Sequence, residues 1–313
     1  MNLTWTAEGR EFDLQDPAPL LGFLRGRSLL RIPCTPDRLL IRNDGQKLYV
    51  RTAEGATREF PIRRSFLLKI LRWHSFPLPQ LERLTIDTVT GLLNDYILSI
   101  RGPVTLTVED GEALTLTGER YRRIGDEEVL AFCEPLGIAR IWRNDFALRV
   151  SLRSALLREV APGDCCGFGV NVFNSETGFS ALRVAHFILR LVCTNGAVVE
   201  IRAGGGKRVH LGGGPGGLAV WLALRLNLAR GEREKLVEAL LAARASSGVE
   251  KARELRPTLR TLLGSARASR LLSALDGTAS VYDLFNALTS EARAHGGALR
   301  LRLETLAGGL LGV

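Results

Sequence analysis

Glycines and basic side chains alternate in one segment of the chain, residues 203–217. The segment contains eight glycines, and Lys207, Arg208 and His210 lie between them. Glycine-rich backbone brings N–H groups close to a phosphate, and cationic side chains add complementary charge. The P-loop pattern of nucleotide-hydrolysing enzymes is absent, because Arg208 stands where that pattern requires Ser or Thr. The composition therefore indicates either a basic loop that closes on a nucleic-acid backbone or a surface loop without a ligand.

A second group of basic residues follows a helical spacing. Residues 251–270 carry six basic side chains and one acidic one. At about 100° per residue, most of their arginines share one side of a helix, beside an apolar row of leucines. The predicted phosphate contacts are Arg253, Arg256, Arg260 and Arg267. Pro257 and Gly264 are expected to break the helix. The row is predicted either to follow a phosphate backbone or to form a solvated helix face.

Further arginines have aromatic or apolar neighbours. Arg120, Arg122 and Arg123 surround Tyr121, an arrangement that combines phosphate contacts with base stacking. A salt-bridge cluster at the end of a strand is the alternative. Arg190 lies in the apolar run 179–193, where a guanidinium requires a carboxylate, a carbonyl or a bound phosphate as partner. These four arginines complete the predicted nucleic-acid-binding set.

Motifs of enzymes and metal sites are absent from the linear sequence. The four histidines and five cysteines show no metal-ligand spacing, and neither a zinc-protease helix motif nor a nucleophile elbow occurs. We therefore expect no metal and no cofactor, and the sequence favours a protein that is not an enzyme. A catalytic site assembled from distant residues stays open.

The charge balance favours an anionic partner. Lys and Arg number 42 against 33 Asp and Glu, which gives a formal charge of +9. Only five of the 42 are lysines, and arginine is well suited to bidentate phosphate contacts. Codon bias in a GC-rich genome explains the same excess. Preference for arginine and a single methionine are compatible with a thermophile.

The expected cellular compartment follows from targeting and membrane signals that the sequence lacks. The N-terminal residues do not form a signal peptide, and no run of 18 apolar residues occurs. The five cysteines have no paired spacing, which is typical of a reducing compartment. We expect a cytoplasmic protein that does not enter a membrane.

Hydrophobic periodicity predicts an α+β fold, with antiparallel β-hairpins first and helices afterwards. Turn signals predict hairpins at 38–51, 104–117 and 138–153. Helices are expected at 65–73, 86–97 (with Thr85 as N-cap), 126–133, 218–244, 257–275 and 280–295. The end of the run 179–193 fits a strand or a helix. The expected organisation is a small β-rich region (1–60) and a core (61–313) divided into hairpins and helices (61–202), the glycine-rich loop (203–217) and a helical part (218–313).

One stretch carries a family resemblance. Residues 174–199 contain Asn174-Ser175, Gly178, Arg190 and Cys193-Thr194-Asn195-Gly196, an order that resembles the signature of a phage- and plasmid-related family, domain of unknown function 932. Further elements in the family's order are Arg120 to Arg123, Arg208 with His210, Asn286 to Thr289 and Ala307-Gly308. The glycine insertion at 204–217 and a C-terminal half poor in aromatic residues depart from the family pattern. Asn195-Gly196 is expected to form a tight turn.

The resemblance implies a protein of mobile genetic elements and carries no catalytic residue over. The order of hairpins and helices is also similar, at the level of fold, to ring-forming single-strand annealing proteins. We therefore expect a cytoplasmic, homo-oligomeric protein that binds single-stranded DNA in a basic groove during annealing or recombination. The alternative is a non-enzymatic interaction or anti-defence protein that acts through a protein partner.

Overall fold

The computed structural model describes residues 5–7, 9–53, 57–190, 195–199, 206–210, 216–273, 275 and 279–312. The α+β class is confirmed, because antiparallel sheets occupy residues 12–208 and helices follow to residue 309. Among the described helices, none combines the length and the apolarity that a membrane span requires.

Strands dominate the first two thirds of the chain. They are β1 (Phe12–Leu14), β2 (Leu29–Cys34), β3 (Leu39–Asn43), β4 (Leu48–Thr52), β5 (Arg58–Pro61), β6 (Val104–Glu109), β7 (Glu112–Gly118), β8 (Ile138–Arg143), β9 (Leu148–Ala161), β10 (Asp164–Asn174), β11 (Leu182–Arg190), β12 (Asn195–Val199) and β13 (Gly206–Arg208). The helices are α1 (Ala18–Gly26), α2 (Arg64–Trp73), α3 (Ile86–Leu98), α4 (Asp126–Cys133), α5 (Gly216–Gly231), α6 (Arg233–Ala245), α7 (Val249–Leu263), α8 (Ser265–Ser273), α9 (Val281–Arg293) and α10 (Gly297–Gly309).

The strands form three antiparallel sheets within the described residues. The large sheet has the order β1-β8-β9-β10-β11-β12, and β13 also pairs with β11. Two three-stranded sheets have the orders β2-β6-β7 and β3-β4-β5. The pairs β1–β8 and β2–β6 join the first 60 residues to strands far along the chain, and hairpin signals do not encode such pairs.

Three apolar clusters hold these layers together. One lies between α2, α3 and the two small sheets, and another joins α1, α4 and α5 to the large sheet. The third contains α6 to α10. Alternate residues of β10 belong to two different clusters. Cys166 and Phe168 belong to the helical cluster, whereas Val170 and Val172 belong to the cluster of α1, α4 and α5. The period of two in a strand places all four on one face.

All three predicted hairpins are present, as β3–β4, β6–β7 and β8–β9. Asp110 and Gly111 form the second turn, both with positive φ. Thr85 is the N-cap of α3, accepting a hydrogen bond from the Thr88 amide. Asp126 begins α4, and its N-cap is Gly125. Local signals were sufficient here because each turn or cap lies within a few residues of what it joins.

Other elements differ from expectation. Helix α1 lies where strands and turns were expected, and α10 follows α9 beyond the predicted helices. Pro257 is inside α7, whereas Gly264 ends it with a φ of +81°. Within the run 179–193, the part whose structure was undecided is a strand, β11, from Leu182 to Arg190, and Asn195-Gly196 begins β12 instead of forming a turn. Residues 191–194, which include Cys193 and Thr194, lie outside the described residues.

Candidate nucleic-acid interface

Ion pairs converge on Glu176, which lies in the turn after β10 (residues 174–178, the NSETG turn). Arg27 donates two hydrogen bonds to its carboxylate, at 2.5 and 2.8 Å. Arg123 and Arg143 donate one each, at 2.6 and 2.8 Å. The side chain of Glu176 is 4% exposed, and an ionised carboxylate so deeply buried requires partners of this kind. The three arginines therefore hold the turn in place.

Glu109, at the end of β6, extends the same set of charges. Its carboxylate accepts hydrogen bonds from Arg27 at 2.6 Å and from Arg63 at 2.5 Å. Arg63 also donates to Asp145, and Arg143 donates to Asp126 at 2.9 Å. We call these residues the buried ion network: Arg27, Arg63, Arg123, Arg143, Glu109, Asp126, Asp145 and Glu176. At its edge, Glu112 also pairs with Arg63, and Glu127 pairs with Arg27 and Arg123, so carboxylates fully match the positive charge of the four arginines.

The network shifts the titration of its carboxyl groups in opposite directions. Burial by itself raises the pKa of Glu176, but the hydrogen bond from Arg27 and the charges of the arginines around it outweigh burial and hold that pKa below its usual range. Burial and the neighbouring charge of Glu176 raise the pKa of Asp126 to about 6. The arginines thus favour the ionised form of Glu176 most strongly.

The backbone of the NSETG turn is held by two further side chains. The Tyr121 hydroxyl donates to the carbonyls of Ser175 and Glu176, at 3.2 and 2.9 Å. The Lys69 ammonium donates to the carbonyls of Thr177 and Gly178, at 3.1 and 2.6 Å. Gly178 has a φ of +74°, and a Cβ there would lie 2.9 Å from both the Lys69 Nζ atom and the Tyr121 ring. Glycine is therefore required at this position.

Residues 208–210, inside the glycine-rich segment, reach the same place. The Arg122 amide donates to the His210 carbonyl at 2.7 Å, and the rings of Tyr121 and His210 stack with centroids 5.2 Å apart. Burial lowers the pKa of His210, so its ring is neutral at pH 7. The structure thus brings together three elements that are distant in sequence: residues 120–123, the NSETG turn and residues 208–210.

Beside this assembly lies a cleft of about 420 Å³, within the range of small-molecule sites. Its charged lining residues are Lys69, Arg101, Arg120 and Glu119, and its aromatic ones are Trp73 and Tyr121. We call it the basic cleft. Arg101 and Arg120 are exposed, and Trp73 is 39% exposed. Neither arginine forms an ion pair with a carboxylate of the described residues.

Lys69 supplies the least exposed charge of the basic cleft. Burial, together with the nearby charge of Arg72, lowers the pKa of its ammonium to about 8. No carboxylate of the described residues is paired with it, and its hydrogen bonds go to the two carbonyls of the NSETG turn. Its ammonium is also 5.8 Å from the centroid of the Trp73 ring. The cleft therefore combines a cation that carbonyls orient with two exposed guanidinium groups.

The predicted residues near Tyr121 separate into two environments. Arg120 lines the basic cleft, and Arg122 is exposed beside it. Arg123 instead points inward to Glu127 and Glu176, at 2.8 and 2.6 Å. Because both carboxylates already occupy its guanidinium, we omit Arg123 from the proposed interface. Among these three arginines, only Arg123 fits the alternative prediction of a salt-bridge cluster.

Residues of the predicted glycine-rich loop also differ from one another. Lys207 is exposed on β13, Arg208 donates to the Gly217 carbonyl at 2.6 Å, and His210 is buried. Residues 203–205 and 211–215 lie outside the described residues. For Arg190 the structure describes the backbone, which pairs with Cys166 and Asn195; its side chain lies outside the description.

The remaining predicted arginines lie in the helical region. Arg253, Arg256 and Arg260 are exposed on α7, and Arg267 is exposed on α8. None of them forms an ion pair with a carboxylate that the structure describes. Gly264 separates the two helices, so the expected continuous row is divided after Arg260.

Sequence reasoning missed Lys69, Trp73 and Arg101. A weak signal existed for the first two, because positions i and i+4 lie on one side of a helix and Lys69 interrupts an otherwise apolar face of α2. Arg101 lies just before β6, in a segment without a motif. Only the folded chain places these residues beside Arg120 and Tyr121.

Three comparisons with known proteins found no match: none with family models, none with curated proteins and none with solved structures. Within the described part of the chain, no group of three or more His, Cys, Asp or Glu side chains is arranged to hold a metal ion.

Proposed function

We propose that this chain binds single-stranded DNA in the basic cleft, without catalysing a reaction. The observation that carries the proposal is that Arg101, Arg120, Trp73 and Tyr121 line one cleft. Proteins that bind single strands combine cations along the backbone with aromatic rings on which bases stack. Both requirements are met by side chains from α2 and from the ends of β6 and β7.

An exposed aromatic ring favours a single strand over a duplex. The faces of the bases are accessible only when they are unstacked, and Trp73 exposes an aromatic surface that would stack on such a base. Arg122, the neighbour of Tyr121 in sequence, is exposed and adds positive charge beside the cleft. Because the arginines have no carboxylate partner among the described residues, phosphate would not have to displace one.

Annealing or recombination of mobile DNA, and assembly into a homo-oligomer, rest on the sequence resemblance alone and stay predictions. The interaction or anti-defence alternative predicts instead that a protein partner covers an exposed surface. Nucleic-acid contacts by Arg260 and Arg267 also stay predictions, supported by their exposure on α7 and α8.

Fluorescence anisotropy with a labelled 40-nucleotide DNA, single-stranded or double-stranded, at several salt concentrations tests the proposal. We expect the single strand to bind more tightly. The double variant Arg101→Ala/Arg120→Ala should bind at least tenfold more weakly at low salt. Its salt slope should fall by about 1.4, because each phosphate contact on a single strand contributes about 0.7.

Arg51→Ala/Arg58→Ala is the matched control, because it removes the same charge from exposed positions on β4 and β5. It should bind within twofold of the unmodified protein. Trp73→Ala should weaken binding by about 1–3 kcal/mol if one base stacks on the indole. Equal losses in both double variants would show that net charge alone attracts DNA, and absence of binding at low salt would refute the proposal.

A further inference from the structure

A second cavity lies in the helical region, away from the residues that line the basic cleft. It has a volume of about 200 Å³, and its described lining comes from α7, α8 and α9 together with Gly248, Leu275 and Ala279. Aliphatic side chains form its lining, among them Val249, Ala252, Leu272 and Leu284. Arg253 and Arg256 line it as well, and both are exposed. We call it the α7 cavity.

The α7 cavity combines an aliphatic surface with two cations that have no ion pair to a carboxylate in the described part of the chain. Neither Arg253 nor Arg256 forms an ion pair with a described carboxylate. Two acidic neighbours are engaged elsewhere, since Glu254 pairs with Lys251 at 2.9 Å and Asp283 caps the start of α9. Residues three apart on a helix have Cβ atoms about 5–6 Å apart, so the two guanidinium groups can receive two carboxylates of one ligand.

We propose that the α7 cavity binds an acidic, amphipathic peptide segment of a protein partner. One apolar side chain of the segment enters the cavity, and neighbouring carboxylates pair with Arg253 and Arg256. Arginine suits this role because its planar fork binds a carboxylate through two hydrogen bonds. This inference does not depend on DNA binding in the basic cleft.

The lining favours a peptide over a nucleic acid. Trp73 and Tyr121 line the basic cleft, whereas the described lining of the α7 cavity contains no aromatic ring. Bases would therefore find nothing to stack on, while an aliphatic pocket of this volume accommodates a single apolar side chain. The two cavities thus select for different chemistry although both carry arginine.

The test uses a fluorescein-labelled ten-residue peptide of glutamates around one central phenylalanine. Two control peptides replace the phenylalanine by serine or the glutamates by glutamines. We expect saturable binding of the first peptide and at least tenfold weaker binding of both controls. Arg253→Ala/Arg256→Ala should weaken binding of the first peptide at least tenfold. Arg260→Ala/Arg267→Ala removes the same charge outside the lining and should change the affinity for this peptide less than threefold.

Ala252→Leu separates the cavity from the charge, because it fills the lining and keeps every arginine. In this variant, the peptides with phenylalanine and with serine should bind with the same affinity. A melting temperature near that of the unmodified protein would show that the variant is folded. Equal binding of all three peptides would overturn the proposal. The proposal would also be overturned if no peptide bound and Arg253→Ala/Arg256→Ala weakened the binding of single-stranded DNA. The two arginines would then contact phosphate groups.

Discussion

Arginine plays opposite parts in the sheet region and in the helical region. In the sheets, Arg27, Arg63 and Arg143 are buried to within 2% of full burial, and each pairs with carboxylates. On α7 and α8, Arg253, Arg256 and Arg267 are exposed without such partners among the described residues. The same residue type therefore maintains the fold in one region and is free to bind ligands in the other.

This difference shows why net charge is a poor guide to a binding surface. The formal charge of +9 is a sum over both kinds of arginine. The buried ion network adds nothing to this excess, because the carboxylates that pair with its four arginines are at least as numerous as the arginines. Exposed positions such as Arg101, Arg120 and the row on α7 carry part of this excess, and ligands can reach them.

The largest expected effect tests the structural part of the comparison. Arg143→Met leaves Asp126 and Glu176 without one of their buried cationic partners. We expect a loss of about 3–5 kcal/mol in the free energy of unfolding by urea, because an uncompensated buried charge is costly. Arg267→Met, the same change at an exposed position on α8, should stay within about 0.5 kcal/mol. Equal effects would remove the distinction between the regions.

Titration of Lys69 provides a pH test. Its pKa is lowered to about 8 in the folded chain from 10.5, so the unfolded chain binds more protons between these values. Stability should therefore rise with pH from 8 to 10.5, by up to about 3 kcal/mol. The free energy of unfolding of Lys69→Met should not show this rise with pH. Parallel pH profiles for the two proteins would contradict the burial of a charged amine.

Gly264 tests the division between α7 and α8. Gly264→Ala forces an L side chain into a φ of +81° and should destabilise the protein by about 1–2 kcal/mol. Gly91→Ala is the contrasting variant, because Gly91 is an exposed position inside α3 with no atom in the way of a Cβ. It should stabilise by about 0.4–1 kcal/mol. Thermal unfolding of both variants measures the difference, and a stabilising Gly264→Ala would mean that the helix continues.

The smallest expected effect concerns the NSETG turn. Tyr121→Phe removes the donor to the Ser175 and Glu176 carbonyls, which should cost about 0.5–1.5 kcal/mol. Tyr49→Phe removes a comparable hydrogen bond to Asp44 on the surface and should cost less than about 0.5 kcal/mol. Chemical denaturation of the pair measures this. A larger loss at Tyr49 would show that the turn does not depend on Tyr121.

Much of the local structure could be predicted. Hairpin turns such as Asp110-Gly111 and the N-cap Thr85 act over a few residues, so their residue types are sufficient. The candidate site was predicted only in part. Arg120, Arg122 and His210 do come together around Tyr121, but Lys69, Trp73 and Arg101 come from segments without a recognisable motif.

The sequence by itself determined the α+β class, the hairpins, most helices and the excess of arginine. Tertiary structure alone decided which arginines are neutralised, because the carboxylate that pairs with a guanidinium lies up to 155 residues away in sequence. Arg123 and Arg122 are adjacent in sequence, yet one contacts Glu176 and the other faces solvent. Pairings such as β1–β8 fix these distances, and no periodicity within a strand specifies its distant partner.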